Sequence, residues 1–85
     1  MIENIYCIYD NNAGIALKPF SIHRNDVAPC REVTEVANNK DSIIHKHAAD
    51  FELLHVATID LVTLEVTGLP AARRVMRCID SIDTE

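Results

Sequence analysis

The stretch Phe51-Glu52-Leu53-Leu54-His55-Val56-Ala57-Thr58-Ile59 decides how this chain is read. On an extended backbone Phe51, Leu53, His55, Ala57 and Ile59 fall on one face, and Glu52, Leu54, Val56 and Thr58 on the other. A period of two carried by β-branched and aromatic residues predicts one long strand. Leu54 and Val56 make its second face apolar too, so the strand asks for cover on both sides.

Upstream, Ile5-Tyr6-Cys7-Ile8-Tyr9 reads as another strand with the same two-faced character. Asp10-Asn11-Asn12-Ala13-Gly14 follows as a turn, with Gly14 where a hairpin loop wants positive φ. Ile15 to Phe20 is predicted to return as a second strand, with Pro19 confining it to an edge or ending its ladder. Between the hairpin and Phe51 the period changes. Val27, Cys30, Val33 and Val36/Ala37 recur at steps of three and four, predicting an amphipathic helix over 26–38. Asn25 or Asp26 can cap it, Pro29 fits its first turn, and Asn38-Asn39 suits a left-handed stop. Asp41-Ser42 opens a short helical turn through His45. Downstream, Asp60 to Thr63 turns the chain into a strand through Val66 that Gly68 and Pro70 end. The tail reads two ways: Arg73 to Ile79 as extended chain, or Val75, Ile79 and Ile82 as one side of a helix.

The expected fold is therefore α+β: a small antiparallel sheet made of a β-hairpin, one amphipathic helix and a second β-hairpin. Residues 1–85 form a single domain, with a core over 4–68 and a tail over 69–85 that can add a strand. One three-turn helix cannot cover both faces of such a sheet. Either the tail covers the second face or another copy of the chain does, which makes self-association as a dimer or larger oligomer an expectation. The residues expected at that interface are Ile8, Leu54, Val56, Leu61, Val62 and Leu64.

Composition narrows the function classes. Thirteen acidic against eight basic residues give a net charge of −5, which disfavours tight non-specific DNA binding. Cys7, Cys30 and Cys78 are odd in number and widely spaced, which suits reduced thiols in a cytoplasm better than a disulfide framework. No apolar run reaches the ~18 residues of a membrane span, and no basic-then-apolar leader opens the chain, so no membrane partner is expected.

Several strings are familiar together. Ile5-Tyr6-x-Ile8-Tyr9-Asp10 with Ala13-Gly14, Pro19-Phe20, Arg24-Asn25-Asp26 with Ala28, and His47-x-x-Asp50-Phe51-Glu52-Leu53-x-His55 stand in a characteristic order and spacing. In this the chain resembles the small nonstructural protein of gokushovirus-type microviruses, single-stranded DNA phages, over about residues 4–66. That family commonly carries an acidic turn ending in Thr-Gly after the Phe-Glu-Leu strand. Asp60-Leu61-Val62-Thr63-Leu64 has no glycine there and places apolar residues where solvent is expected. The resemblance implies a protein of the infected host's cytoplasm, absent from the virion, that influences viral genome replication or single-stranded DNA packaging. It brings no catalytic residue set.

The chemistry-bearing groups point the same way. His45, His47, Asp50 and His55 are of metal-ligating type, but a spacing of two on a helix turns His45 and His47 apart, and no metal or other cofactor is expected. The cysteines sit in apolar patterns that keep thiols protonated, and two glycines are too few for a phosphate loop, so no enzyme activity is expected. Two binding readings stay open. Arg73, Arg74 and Arg77, with Tyr6, Tyr9 and Phe20 as stacking platforms, would make a single-stranded DNA site. Alternatively, the acidic chain is an adaptor for a viral or host replication or packaging protein and touches no DNA.

Overall fold

The computed structural model describes residues 1–82. It is an α+β fold in which strands β1 (Ile2–Asp10), β2 (Ile15–Ala16), β3 (Ser21–His23), β4 (Phe51–Asp60) and β5 (Val66–Arg77) form one antiparallel sheet. The main helix is α1 (Val27–Asn38), followed by the short α2 (Ile43–Lys46). Strand β1 lies between β4 on one side and β2 and β3 on the other, and β5 is the outer strand beyond β4.

The predicted strand over 15–20 is broken. Ile15–Ala16 pair with β1 as β2, and the Leu17 N–H still donates to the Ile8 carbonyl (2.8 Å). The chain then leaves the ladder around Pro19, which has no N–H to give it, and pairing with β1 resumes beyond the predicted strand as β3. Gly14 has the positive φ expected of it (73°). Asn39 does not adopt a left-handed cap; it is extended at φ −80°, and its N–H closes the last turn on the Val36 carbonyl (3.2 Å). Strand β5 is the largest departure from the sequence reading. It passes through Gly68 and Pro70 to Arg77, and a 3-10 turn, Cys78–Ser81, follows. Pro70 is tolerated because Leu69–Ala72 bulge out between the Ala57–Gly68 and His55–Arg73 pairs, on a strand whose outer side has no sheet partner among the described residues.

Bulges also break the strict alternation of β4. Tyr6 faces His55 and Ile5 faces Ala57, so Val56 is an extra residue and Ala57 lies on the opposite face from His55. One face of the sheet carries Tyr6, Ile8, Phe51 and Leu53. It packs against Val33 and Ala37 of α1, Ile44 of α2, Ala48 and Cys78. The tail thus returns to the helix side, where the Asn38 amide donates to the Ser81 carbonyl (2.8 Å). It does not cover the other face, which carries Ile5, Cys7, Tyr9, Glu52 and Leu54, none of them in that core cluster.

Candidate functional site

Three parts of the surface gather the residues that sequence reading singles out. The first is polar and lies at the rim of the core. Tyr6 is fully buried, and its hydroxyl donates to the Asp26 carboxylate (2.6 Å). Arg73, across the sheet on β5, donates to both Asp26 oxygens (3.2 and 3.0 Å) and to His55 Nδ1 (3.3 and 3.1 Å). Since Nδ1 accepts, Nε2 carries the proton and donates to the Ala57 carbonyl (3.1 Å). The Tyr6 ring sits between His55 and His23, with centroids 5.2 and 5.8 Å away.

The electrostatics follow from this packing. Arg73, and then the Tyr6 hydroxyl, hold the Asp26 carboxyl below the usual carboxylate range. Burial, then the adjacent Asp26, push the Tyr6 phenol up to about 12. Asp26 stands at the N-cap of α1 but makes no side-chain cap bond, because its carboxylate is engaged by Arg73 and Tyr6. Asn25 serves the helix start instead, accepting from the Val27 N–H (3.0 Å).

The second part is the sheet face away from the helices. Tyr9, Glu52 and Arg77 lie opposite one another across three strands, and Cys7, Leu54 and Arg74 form the next row. Arg74 reaches diagonally to Glu52 (3.2 Å). Arg77 is exposed, with no ion-pair partner among the described residues. The third part is the far end of the sheet, where the β4–β5 hairpin turns beside the start of β1. Met1, Ile2, Leu61, Val62, Leu64 and Val66 are all exposed there.

The proposed DNA-contacting residues therefore divide. Tyr9, Arg74 and Arg77 share the second sheet face, and Phe20 is exposed on the loop between β2 and β3. Tyr6 is corrected: its ring is enclosed in the core and has no face to stack on a base. Arg73 belongs to the polar cluster on the helix side. The interface residues divide too. Ile8 packs against the core and Leu54 is buried, both within the fold, and Val56 is the half-buried bulge residue, whereas Leu61, Val62 and Leu64 are exposed. His45 bonds the Ala37 carbonyl (2.8 Å) while His55 is engaged by Arg73, so these two imidazoles have separate roles. Downstream of these arginines, Asp80 is in the 3-10 turn and Asp83 lies outside the described residues.

Sequence reading missed Asp26 as the junction between β1, α1 and β5, and Glu3 and Glu65 as the acidic neighbours of the hairpin tip. A signal for the second was present: neither residues 1–17 nor residues 47–72 contain a Lys or Arg. No helix among the described residues is long and apolar enough to cross a membrane.

The model of a protein family described as Phage ORF5 protein matches residues 3–81. No curated protein and no solved structure matches the chain.

Proposed function

The chain belongs to the phage ORF5 protein family, and from that premise we propose that it is a non-enzymatic binding protein that modulates replication or single-stranded packaging of a microvirus genome in the host cytoplasm. The observation that carries this reading is the hairpin tip, where exposed apolar side chains cluster beside Glu3 and Glu65, no Lys or Arg is near in sequence, and the N-terminal ammonium is paired with Asp60 (3.6 Å). An apolar patch with an acidic rim is suited to a protein surface and not to a phosphate backbone. Arg73 and Arg74 already face carboxylates of this chain, which weakens their call on phosphate. The adaptor mode is thus the favoured mechanism.

A second reading, direct contact with single-stranded DNA, has one observation in its favour: Tyr9, Arg74 and Arg77 share the second sheet face. A phage whose reading frame for this chain is closed by an early stop tests the shared function. The expected result is a changed ratio of packaged single-stranded genome to duplex replicative form inside infected cells. An unchanged ratio with normal particle yield would overturn the proposal.

A further inference from the structure

The β4–β5 hairpin holds apolar side chains outward. Leu64 has φ 66°, in the left-handed region, and is 70% exposed. A leucine there is a conformational outlier that glycine or asparagine would relieve, and burial does not compensate it. The loop around it imposes that backbone. The Leu64 N–H donates to the Asp60 carbonyl (2.7 Å), and the Asp60 N–H donates to the Glu65 carbonyl (2.9 Å). Asp60 Oδ1 accepts from the Val62 N–H (2.9 Å), and the Leu61 N–H ties the loop to the Met1 carbonyl (2.8 Å). Val62, 79% exposed, is carried by the same bonded turn. A backbone already fixed costs little further ordering when a partner covers it, which is the condition under which a small apolar patch binds.

Charge selects the partner. Glu3 stands on β1 opposite Ile59, and Ile59 is opposite Val66 on β5. Glu65 closes the turn through its carbonyl. Neither carboxylate makes an ion pair among the described residues, whereas the N-terminal ammonium is paired with Asp60 (3.6 Å). One cation against three carboxylates gives the tip a net charge of 1 − 3 = −2. Arg24 borders Asn4 across β1, on the side away from the hairpin, and counting it still leaves −1. Such a rim is repelled by nucleic-acid phosphates and by anionic lipid headgroups. A second copy of the chain offers nothing complementary either. Two tips oppose like charges. The groove between α1 and β5 sets Arg31 against Glu35, the cleft between β1 and α1 carries Glu32, and the hollow beside α2 carries Asp10 and Asp50 with His47. Each of these three is balanced or acidic.

We infer that the tip docks into a different protein: Val62 and Leu64 insert in an apolar pocket whose rim presents Lys or Arg to Glu3 and Glu65. This rests on the adaptor reading above and names the chemistry of its partner. Six exposed apolar side chains are of the order of the ~300–600 Å² patch found on a typical monomer. That is below the ~800 Å² per partner of a standard interface, so the contact is weak and reversible. Two apolar anchors carry most of it, and the acidic rim speeds the encounter and sets its salt dependence.

Photo-crosslinking in infected cells, followed by binding with purified components, tests the inference. A photoreactive phenylalanine analogue replaces Val62, and in a control it replaces the exposed Glu35 on α1. The analogue at position 62, and not the control, should link to one other protein. That protein, purified, should bind the wild-type chain with an affinity that falls as salt is raised. Val62→Ser/Leu64→Asn, which relieves the left-handed position and should melt no lower than the wild type, should bind at least about tenfold more weakly. Glu3→Gln/Glu65→Gln should bind more weakly and with a flatter salt dependence. A link formed only to a second copy, only to nucleic acid, or not at all overturns the inference. So does a partner that binds the tip variant as well as the wild type, or whose affinity is indifferent to salt and to the loss of both carboxylates. The outcomes separate from those of the functional reading. A tip-dependent complex with an unchanged genome ratio in the early-stop phage sinks that reading alone, and a changed ratio with no tip-dependent complex sinks this inference alone.

Discussion

Tyr6 is enclosed by β1's neighbours and α1, yet its hydroxyl has a charged acceptor in Asp26, and that carboxylate has a cation in Arg73. Each polar group is satisfied by the next, which is what allows a phenol to be buried at all. The linkage to pH follows from two raised acids. The Tyr6 phenol is raised to about 12 and the Cys78 thiol, by burial and then by Glu52, to about 11. Their ordinary values are about 10 and about 8.5. Both are neutral when protonated, so the stability they contribute is full below those ordinary values and is lost as pH rises through about 11 and about 12. Asp26 acts at the other end: its lowered pKa contributes stability above the ordinary carboxylate value that is lost as pH falls through the folded one. Tyr6→Phe should cost about 2 kcal/mol at neutral pH through the lost hydrogen bond to the charged Asp26 carboxylate. Urea titrations should also show it losing less stability than the wild type between pH 10 and pH 12. An equal alkaline loss in both proteins would place the titrating group elsewhere.

At the scale of elements, α1 separates its sequence stripe from its buried stripe. Val27, Cys30, Val33 and Val36/Ala37 suggest one apolar side, but the structure buries Pro29, Val33 and Ala37 and leaves Val27 and Val36 exposed. The cause is the anchor at the helix start. Asp26 is fixed to Arg73 and Tyr6 rather than to its own helix, and Asn38 is fixed to Ser81 at the other end. These two ties set the rotation of the helix on the sheet. Val33→Ala should therefore cost about 2 kcal/mol, from lost burial plus a cavity, whereas Val36→Ala should stay within about 0.5 kcal/mol. Chemical denaturation of the pair would show it, and equal costs would mean that the helix sits rotated from this arrangement. Strand β5 was harder to read in the sequence because Gly68 and Pro70 are stop signals. A bulge on an outer strand removes the reason for stopping: the proline is not asked for a ladder hydrogen bond.

The whole molecule is elongated, 45 × 24 × 18 Å, with the helices at one end of the sheet and the apolar turn at the other. Charge divides along the same axis, since all eight Lys and Arg residues fall between 18 and 46 or between 73 and 77. If the second sheet face meets single-stranded DNA, the contact is made by Arg74 and Arg77 beside Tyr9. Arg74→Ala/Arg77→Ala should then abolish a salt-sensitive anisotropy change of labelled DNA. Wild type that gives no change even at low salt would leave the protein-binding mode alone.

What the sequence determined by itself was local and periodic. The period of two in Phe51–Ile59 and Ile5–Tyr9, the period of three and four in α1, and the turn residues up to Gly14 established strands, helix and hairpin, and with them the α+β class. Local periodicity reports which residues alternate and not what they meet. Tertiary structure decided the rest. It placed Tyr6 inside, joined Asp26 to Arg73 across 47 residues, inserted the bulge at Val56 that moves Ala57 to the other face, and left Val62 and Leu64 in water. Each of these depends on contacts between elements distant in the chain, where the free energy of burying or pairing a side chain is set by a neighbour that no local pattern names.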